Sequence, residues 1–369
     1  MSNVLKWLQQ IFSGKQKEFS SQSVWTAKNP TDPAPFHAIR QEFIYSIGSI
    51  PDRPQAHASN IIQGPCSPDK ITLYCAWFCG TREGNVDVAI LFSIISYQPQ
   101  TNLGEIKFEY TPPKVIADLP DRACGNPVLF YEPNGTLHLW FAGFVPRGSA
   151  DPNRHIYYQQ SKDGGNTWTN PKIISDRPGL WVRNNLVVLD DGTWLFPMND
   201  ETTPIPKYRT TWSSRFAWSR DHGQTWDFGD LWSCKKGMIQ PSVVQFPTGN
   251  LFCVHRSRNG YIMASRSSDR GHTWTEAQSL DLPNPNSNVV QWLLPSGELL
   301  LVYNPTKKGR TPLSLAISRD SGHTWTRIAD LQTILGEFSY PCIWQTPDGL
   351  IHITYTYRRQ TISHDVIQM

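Results

Sequence analysis

Three short segments of this 369-residue chain crowd arginine against acids and amides, and a fourth gathers an amide and two acids. They are AWFCGTREGNVDV with Arg82, Glu83 and Asp87, WVRNN with Arg183 and Asn184, FPMNDE ending at Glu201, and HRSRNG with Arg256 and Arg258. A guanidinium fork donates two parallel hydrogen bonds to a carboxylate or sulfate, so the chemistry open to these residues is the capture of an anion. Each has a plainer reading too: Arg82 bridging Glu83 or Asp87, and Arg183 bracing a loop. His57, set between alanines in AHASN, is either a proton carrier or a hydrogen-bonded core histidine. The seven cysteines are odd in number and lie mostly in apolar text, which predicts buried free thiols in a reducing compartment. Cys75 and Cys79 have no second pair at zinc-site spacing, so no metal site is expected, and no cofactor is called for.

Residues this scattered need a scaffold that returns them to one place, and internal repeats supply it. SKDGGNTW, SRDHGQTW, SSDRGHTW and SRDSGHTW begin at Ser161, Ser219, Ser267 and Ser318. Their interval of about 50 residues is too long for a helical solenoid and suits a four-stranded blade. Within each, the aspartate is expected to bond amides two or three residues on, the glycine to supply a positive φ, and the tryptophan to fold back as an apolar plug. One carboxylate per copy is too few for a metal. A second repeat opens a strand after a turn: TLHLWF after Gly135, TWLFP after Gly192, NLFCV after Gly249, ELLLVY after Gly297 and LIHITY after Gly349. A sixth copy, ITLYCAWF, follows Lys70. Six turn-plus-strand units predict an all-β, six-bladed β-propeller over residues 31–369, closed by a blade drawn from both ends of the chain.

Composition agrees. At 12% aromatic and 18% charged residues, with 29 prolines and 25 glycines, the chain reads as short strands joined by many turns. A propeller evades the usual single-core size limit because each blade packs on its neighbours, so one domain is expected. The net charge of +3, without a Lys/Arg run, excludes a nucleic-acid partner. No stretch approaches the ~20 apolar residues of a spanning helix, and the N-terminus lacks the continuous apolar core of a signal peptide, so a cytoplasmic location is expected. Residues 1–30 form an extension in which Val4, Leu5, Trp7, Leu8, Ile11 and Phe12 share one helical face beside Lys6, Lys15 and Lys17. Weak membrane-surface contact, packing on the propeller and the absence of fixed structure are the open readings of that extension.

The repeated S-x-D-x-G-x-T-W resembles the Asp box, and residues 35 to 365 resemble a propeller of the sialidase (neuraminidase) superfamily of BNR/Asp-box proteins. That resemblance implies a substrate carboxylate held by three arginines, a tyrosine nucleophile polarised by a glutamate, and an acid/base aspartate on an early loop. YNPTKKGRTPLSLAISRDSGHTW places Arg310 at the third arginine, and GEFSYPCIWQTPDG places Tyr340 at the nucleophile. MIQPSVVQFPTGNLFCVHRSR places Arg256 at the second arginine and Gln240 where the glutamate stands. The first arginine's motif is absent: the chain reads QAHASNII there, with His57 and Asn60, and the early aspartate has no counterpart.

What the resemblance implies is an enzyme cleaving a glycosidic bond next to an acidic sugar. In hydrolysis, Tyr340 attacks the anomeric carbon, Arg256 and Arg310 hold the carboxylate, and Glu337 or Glu201 assists. In β-elimination on a uronic-acid glycan, His57 or Tyr340 removes the proton beside the carboxylate, and the Gln240 replacement matters less. Arg82, Arg183, Asn60 and Arg258 are further candidates for binding an acidic carbohydrate or other anionic small molecule. A non-catalytic glycan- or partner-binding propeller, or an altered reaction on a small molecule, completes the set.

Overall fold

In the computed structural model the described residues, 24–25, 38–145, 154–175, 177 and 179–368, build six antiparallel sheets of four or five strands. No α-helix occurs among them, only short 3-10 turns at Leu103–Glu105 and Pro206–Tyr208. Each sheet is a blade whose first strand lies innermost. Blade one has Gln55–Ser67 inside, then Lys70–Gly80 and Ala89–Tyr97, with Glu109–Tyr110 and Lys114–Ala117 on its edge. Blade two runs Ala123–Tyr131, Leu137–Phe144, His155–Ser161, Lys172–Ile173. Blade three splits its inner strand into Leu180–Val182 and Val187–Val188, followed by Trp194–Asp200, Ser213–Ser219 and Asp227–Phe228. Blades four and five begin at Met238–Gln245 and Val290–Leu293. Blade six takes Phe338–Gln345, Ile351–Tyr357 and Thr361–Gln368 from the C-terminal side and is completed by Ala38–Phe43 and the backbone of Val24–Trp25. The six-bladed propeller closed by both chain ends is therefore the fold. Apart from Val24 and Trp25, the N-terminal extension and its amphipathic face lie outside the described residues, and no described helix is long and apolar enough to cross a membrane.

The four Asp boxes join the third strand to the fourth in blades two to five, at the end opposite the substrate-sized cavity described below. Their aspartates bond mainly the amide four residues on: Asp163 accepts from the Thr167 amide at 2.9 Å and from the Thr167 hydroxyl at 2.6 Å, while Asp320 also takes the His323 amide, three residues on as expected, at 3.1 Å. The serine does the nearer work, since Ser161 Oγ accepts from the Gly165 amide at 2.8 Å. Two successive left-handed residues make the bend, as at His222 (φ 58°) and Gly223 (φ 79°), which is why the second is glycine. The tryptophan folds back on its own turn, Trp168 Nε1 donating to the Gly165 carbonyl at 3.1 Å, and also plugs a joint between blades. Trp168 of blade two meets Phe92 of blade one at 6.0 Å, and Trp274 of blade four stacks on Phe216 of blade three at 4.5 Å. Such aromatic pairs add about 0.5–1.5 kcal/mol beyond the area they bury. The core is divided in the same way, for example with Ile61, Leu73 and Trp77 of blade one packed on Cys342, Ile362 and Val366 of blade six.

Candidate active site

The cavity is shaped by β-bulges. The inner strands of blades one, two, four and six each lose register at the same height, between His57 and Asn60, Gly125 and Val128, Ile239 and Ser242, and Ser339 and Cys342. In each bulge one residue takes the left-handed region: Ala58 (φ 55°), Asn126 (φ 49°), Gln240 (φ 57°) and Tyr340 (φ 56°). A bulge re-aims the side chain it carries, and a non-glycine residue in this region persists only where its surroundings hold it. Asn126, Gln240 and Tyr340 consequently turn into one cavity of about 1100 Å³.

The hold comes from WVRNN in blade three. Arg183, 1% exposed, donates to the carbonyls of Tyr340 (2.7 Å), Pro341 (3.1 Å) and Ser59 (3.0 Å). Asn184 does the same for the carbonyls of Gln240 (3.0 Å) and Pro241 (3.1 Å). Asn60 belongs to this axial network: its Nδ2 donates to Asn185 Oδ1 at 2.6 Å and its Oδ1 accepts from the Leu129 amide at 2.9 Å. Buried polar backbone demands partners, and here the side chains that resembled ligand-binders are those partners.

Tyr340 is 8% exposed, and its hydroxyl accepts from Arg256 Nη1 at 2.7 Å. Arg256 also donates to Asn286 Oδ1 (2.8 Å) and Gln240 Oε1 (3.2 Å) and packs over Trp212. Burial pushes the Tyr340 phenol up, but the Arg256 and Arg310 charges outweigh it and bring the hydroxyl below its ordinary range. Arg310 borders the same ring, 5.3 Å from its centroid, with Nη1 committed to Glu337 (2.6 Å) and Ser339 (3.1 Å). Glu337 is clamped from its other side by Arg359 Nε at 2.7 Å, and Arg359 Nη1 reaches Glu83 at 2.7 Å. Burial raises the Glu337 carboxyl, yet the two arginines hold it below the usual carboxylate range. Glu201 behaves in the opposite way: burial raises its affinity for a proton against the pull of Arg256, Arg154 and Arg258.

Of the residues singled out in the sequence, Tyr340, Gln240, Arg256, Arg82, Glu83 and Glu201 line the cavity. Neither Glu83 nor Asp87 pairs with Arg82, because Glu83 takes Arg359 and Asp87 accepts from the Thr81 amide at 2.6 Å. Arg258 lies at the rim, stacked 3.4 Å over Trp212. Arg310 and Glu337 form an ion pair beside Tyr340, while Arg183 and Asn60 are structural supports buried beneath it. His57 is also below the cavity, its ring 4.3 Å from that of Tyr340 and its Nδ1 2.8 Å from Thr356 Oγ1. Burial and then Arg359, Arg310, Arg183 and Arg256 hold this histidine well below its ordinary pKa, so it is neutral. Sequence reasoning missed Arg359, Arg154, Asn126 and the aromatic wall of Phe144, Trp181 and Trp212. For Asn126 a signal existed: Asn126-Pro127, Gln240-Pro241 and Tyr340-Pro341 repeat one step at the head of an inner strand.

Residues 71–353 match the BNR repeat-like domain. A sialidase of Micromonospora viridifaciens is 28% identical over 235 residues, 58% of this chain and 36% of the relative, so the chain spans about a third of that relative's length. Among solved structures, the Hadza microbial sialidase Hz136 superposes with a TM-score of 0.69 at 19% identity, over 89% of this chain and 68% of that one. The intramolecular trans-sialidase of Ruminococcus gnavus, in complex with oseltamivir carboxylate, gives 0.66 at 13% identity over 88% of this chain and 96% of its own. The propeller, its boxes and these likenesses place the chain, as a divergent member, in the sialidase-like superfamily of BNR-repeat proteins.

Proposed function

We propose that the protein is a glycoside hydrolase-like enzyme that releases a terminal acidic sugar, with Tyr340 as nucleophile. The observation that carries this reading is Tyr340 itself, turned into the cavity by a left-handed bulge, with its hydroxyl on Arg256. A tyrosine needed only for packing requires neither. The sialidase likeness and the carboxylate-bearing ligand of the R. gnavus structure support an acidic substrate. Arg256, Arg82, Arg359 and Arg154 are the guanidinium groups on the cavity wall from which the partners of the carboxylate would come. The Tyr340 oxygen attacks the anomeric carbon as its bond to the leaving oxygen breaks, and Glu201, which holds its proton more tightly than an ordinary carboxyl, protonates that oxygen. Water then releases the sugar with Glu201 as base. Of the two bases that elimination could use, His57 or Tyr340, only Tyr340 faces the cavity, since His57 lies under it.

A panel of sialosides, uronic-acid oligosaccharides and sulfated glycans tests the assignment, read for new reducing ends and for absorbance from an unsaturated uronate. Reducing ends from a sialoside are expected. An unsaturated product, or binding without turnover, would replace this reading with a lyase or a lectin-like one.

A further inference from the structure

Among the described residues the Tyr340 hydroxyl meets hydrogen-bond donors and no acceptor. Arg256 Nη1 donates to it at 2.7 Å, and Gln240 Nε2 faces it from 3.5 Å. The Gln240 amide cannot be turned over without cost, because its Oε1 accepts from the same Arg256 Nη1 at 3.2 Å. A phenol that kept its proton would therefore have only water in the cavity to donate it to. The carboxylates in and beside the cavity have other partners: Glu337 is held by Arg310 and Arg359, Glu83 by Arg359, and Glu201 by Asn199 and Arg154.

Blades three, four and five each bring a positive charge to the ring. The Arg183 guanidinium of blade three lies 5.3 Å from the ring centroid, Arg256 of blade four 5.8 Å, and Arg310 of blade five 5.3 Å. Among the described residues, neither Arg183 nor Arg256 forms an ion pair with a carboxylate. His57 of blade one, against the ring, is neutral, and Glu83 is the acid that opposes the arginines from further off.

We propose that Tyr340 rests as its phenolate at the pH of turnover, with Gln240 as an N–H donor to that phenolate and not the remnant of a lost base. A carboxylate at position 240 would repel the anion that an amide stabilises. The attack then begins with no proton transfer: the phenolate oxygen forms the bond to the anomeric carbon, the bond to the leaving oxygen breaks, and that oxygen departs with the electron pair and takes a proton from Glu201. The use of the phenolate as nucleophile rests on the glycosidase reading; the ionisation does not.

The test is an ultraviolet difference titration, wild type minus Tyr340→Phe, following tyrosinate absorbance. One tyrosine whose midpoint lies below the pH of turnover is expected, absent from the Phe variant. A midpoint above the pH of turnover overturns the proposal. Gln240→Glu is the second arm, expected to raise the midpoint and lower turnover at a given pH. Faster turnover in Gln240→Glu would mean that a proton acceptor had been missing, and would overturn it as well. Because the absorbance needs no substrate, a low midpoint without glycan cleavage would leave the phenolate standing and remove only the glycosidase reading.

Discussion

Replacing Arg183 by methionine tests the brace beneath the site. The substitution keeps the apolar stem and deletes three donated hydrogen bonds, to the carbonyls of Ser59, Tyr340 and Pro341. Hydrogen bonds from a charged group contribute about 1.5–3 kcal/mol each, giving an upper bound of roughly 5–9 kcal/mol. Against this, the guanidinium is buried without a carboxylate partner, and removing it from the interior returns several kcal/mol of desolvation. The difference leaves a net loss of about 2–4 kcal/mol. Arg310→Met is the internal control: Arg310 is partly exposed, and Glu337 keeps Arg359, so about 1 kcal/mol or less is expected. Urea unfolding reads both, the midpoint falling clearly in the first variant and marginally in the second at an unchanged slope. With the carbonyl of Tyr340 released, its left-handed backbone also relaxes, so turnover should fall further than in the control. An Arg183→Met protein as stable as Arg310→Met would refute the claim that this arginine holds the bulges together.

Three further outcomes follow from the geometry. Tyr340→Phe should abolish cleavage of an acidic glycan while shifting stability by about 1 kcal/mol or less, since Arg256 keeps Gln240 and Asn286; a glycan assay beside thermal melting checks it. Arg256→Lys should weaken an acidic ligand by about 10–100-fold in calorimetry, because an ammonium cannot hold Asn286, Gln240 and the ligand together. Asp365, 1% exposed in the last strand, is pushed by burial to about 7 although Ser363 and Tyr355 donate to it. Its folded pKa lies above its unfolded one, so the stability it contributes is complete below pH ~4 and is lost as pH rises towards ~7. Asp365→Asn should flatten the unfolding free energy across that window, and an unchanged slope would count against the assignment.

The fold was legible because its turns are chemically forced. A glycine at φ 79° to 88° in each box and a threonine that both donates its amide and its hydroxyl to one aspartate leave little freedom of sequence, so the copies survive intact. Tyr340, Gln240 and Arg256 were legible because they stand at fixed distances from those landmarks. Arg359 was not: it sits in the last hairpin turn at φ 57°, and only closure of the ring brings it to the loop of Glu83. Arg183 and Asn60 misled in the other direction. A polar residue in polar text looks like a ligand-binder, and nothing local says that the propeller axis needs donors for bulge carbonyls.

The closing blade has a consequence for how the protein is made. Ala38 pairs with Gln368 and Phe43 with Ser363, so an early strand waits for the end of the described chain before it has a partner. At roughly 5–20 residues per second of synthesis, that wait is on the order of 15 to 65 seconds. Throughout it, the edge of Ala38–Phe43 is available to any other unpaired strand, including the same segment of a neighbouring nascent chain. The alternation of Arg40 and Glu42 along this segment puts charge on the waiting edge, which disfavours such mispairing until Thr361–Gln368 arrives.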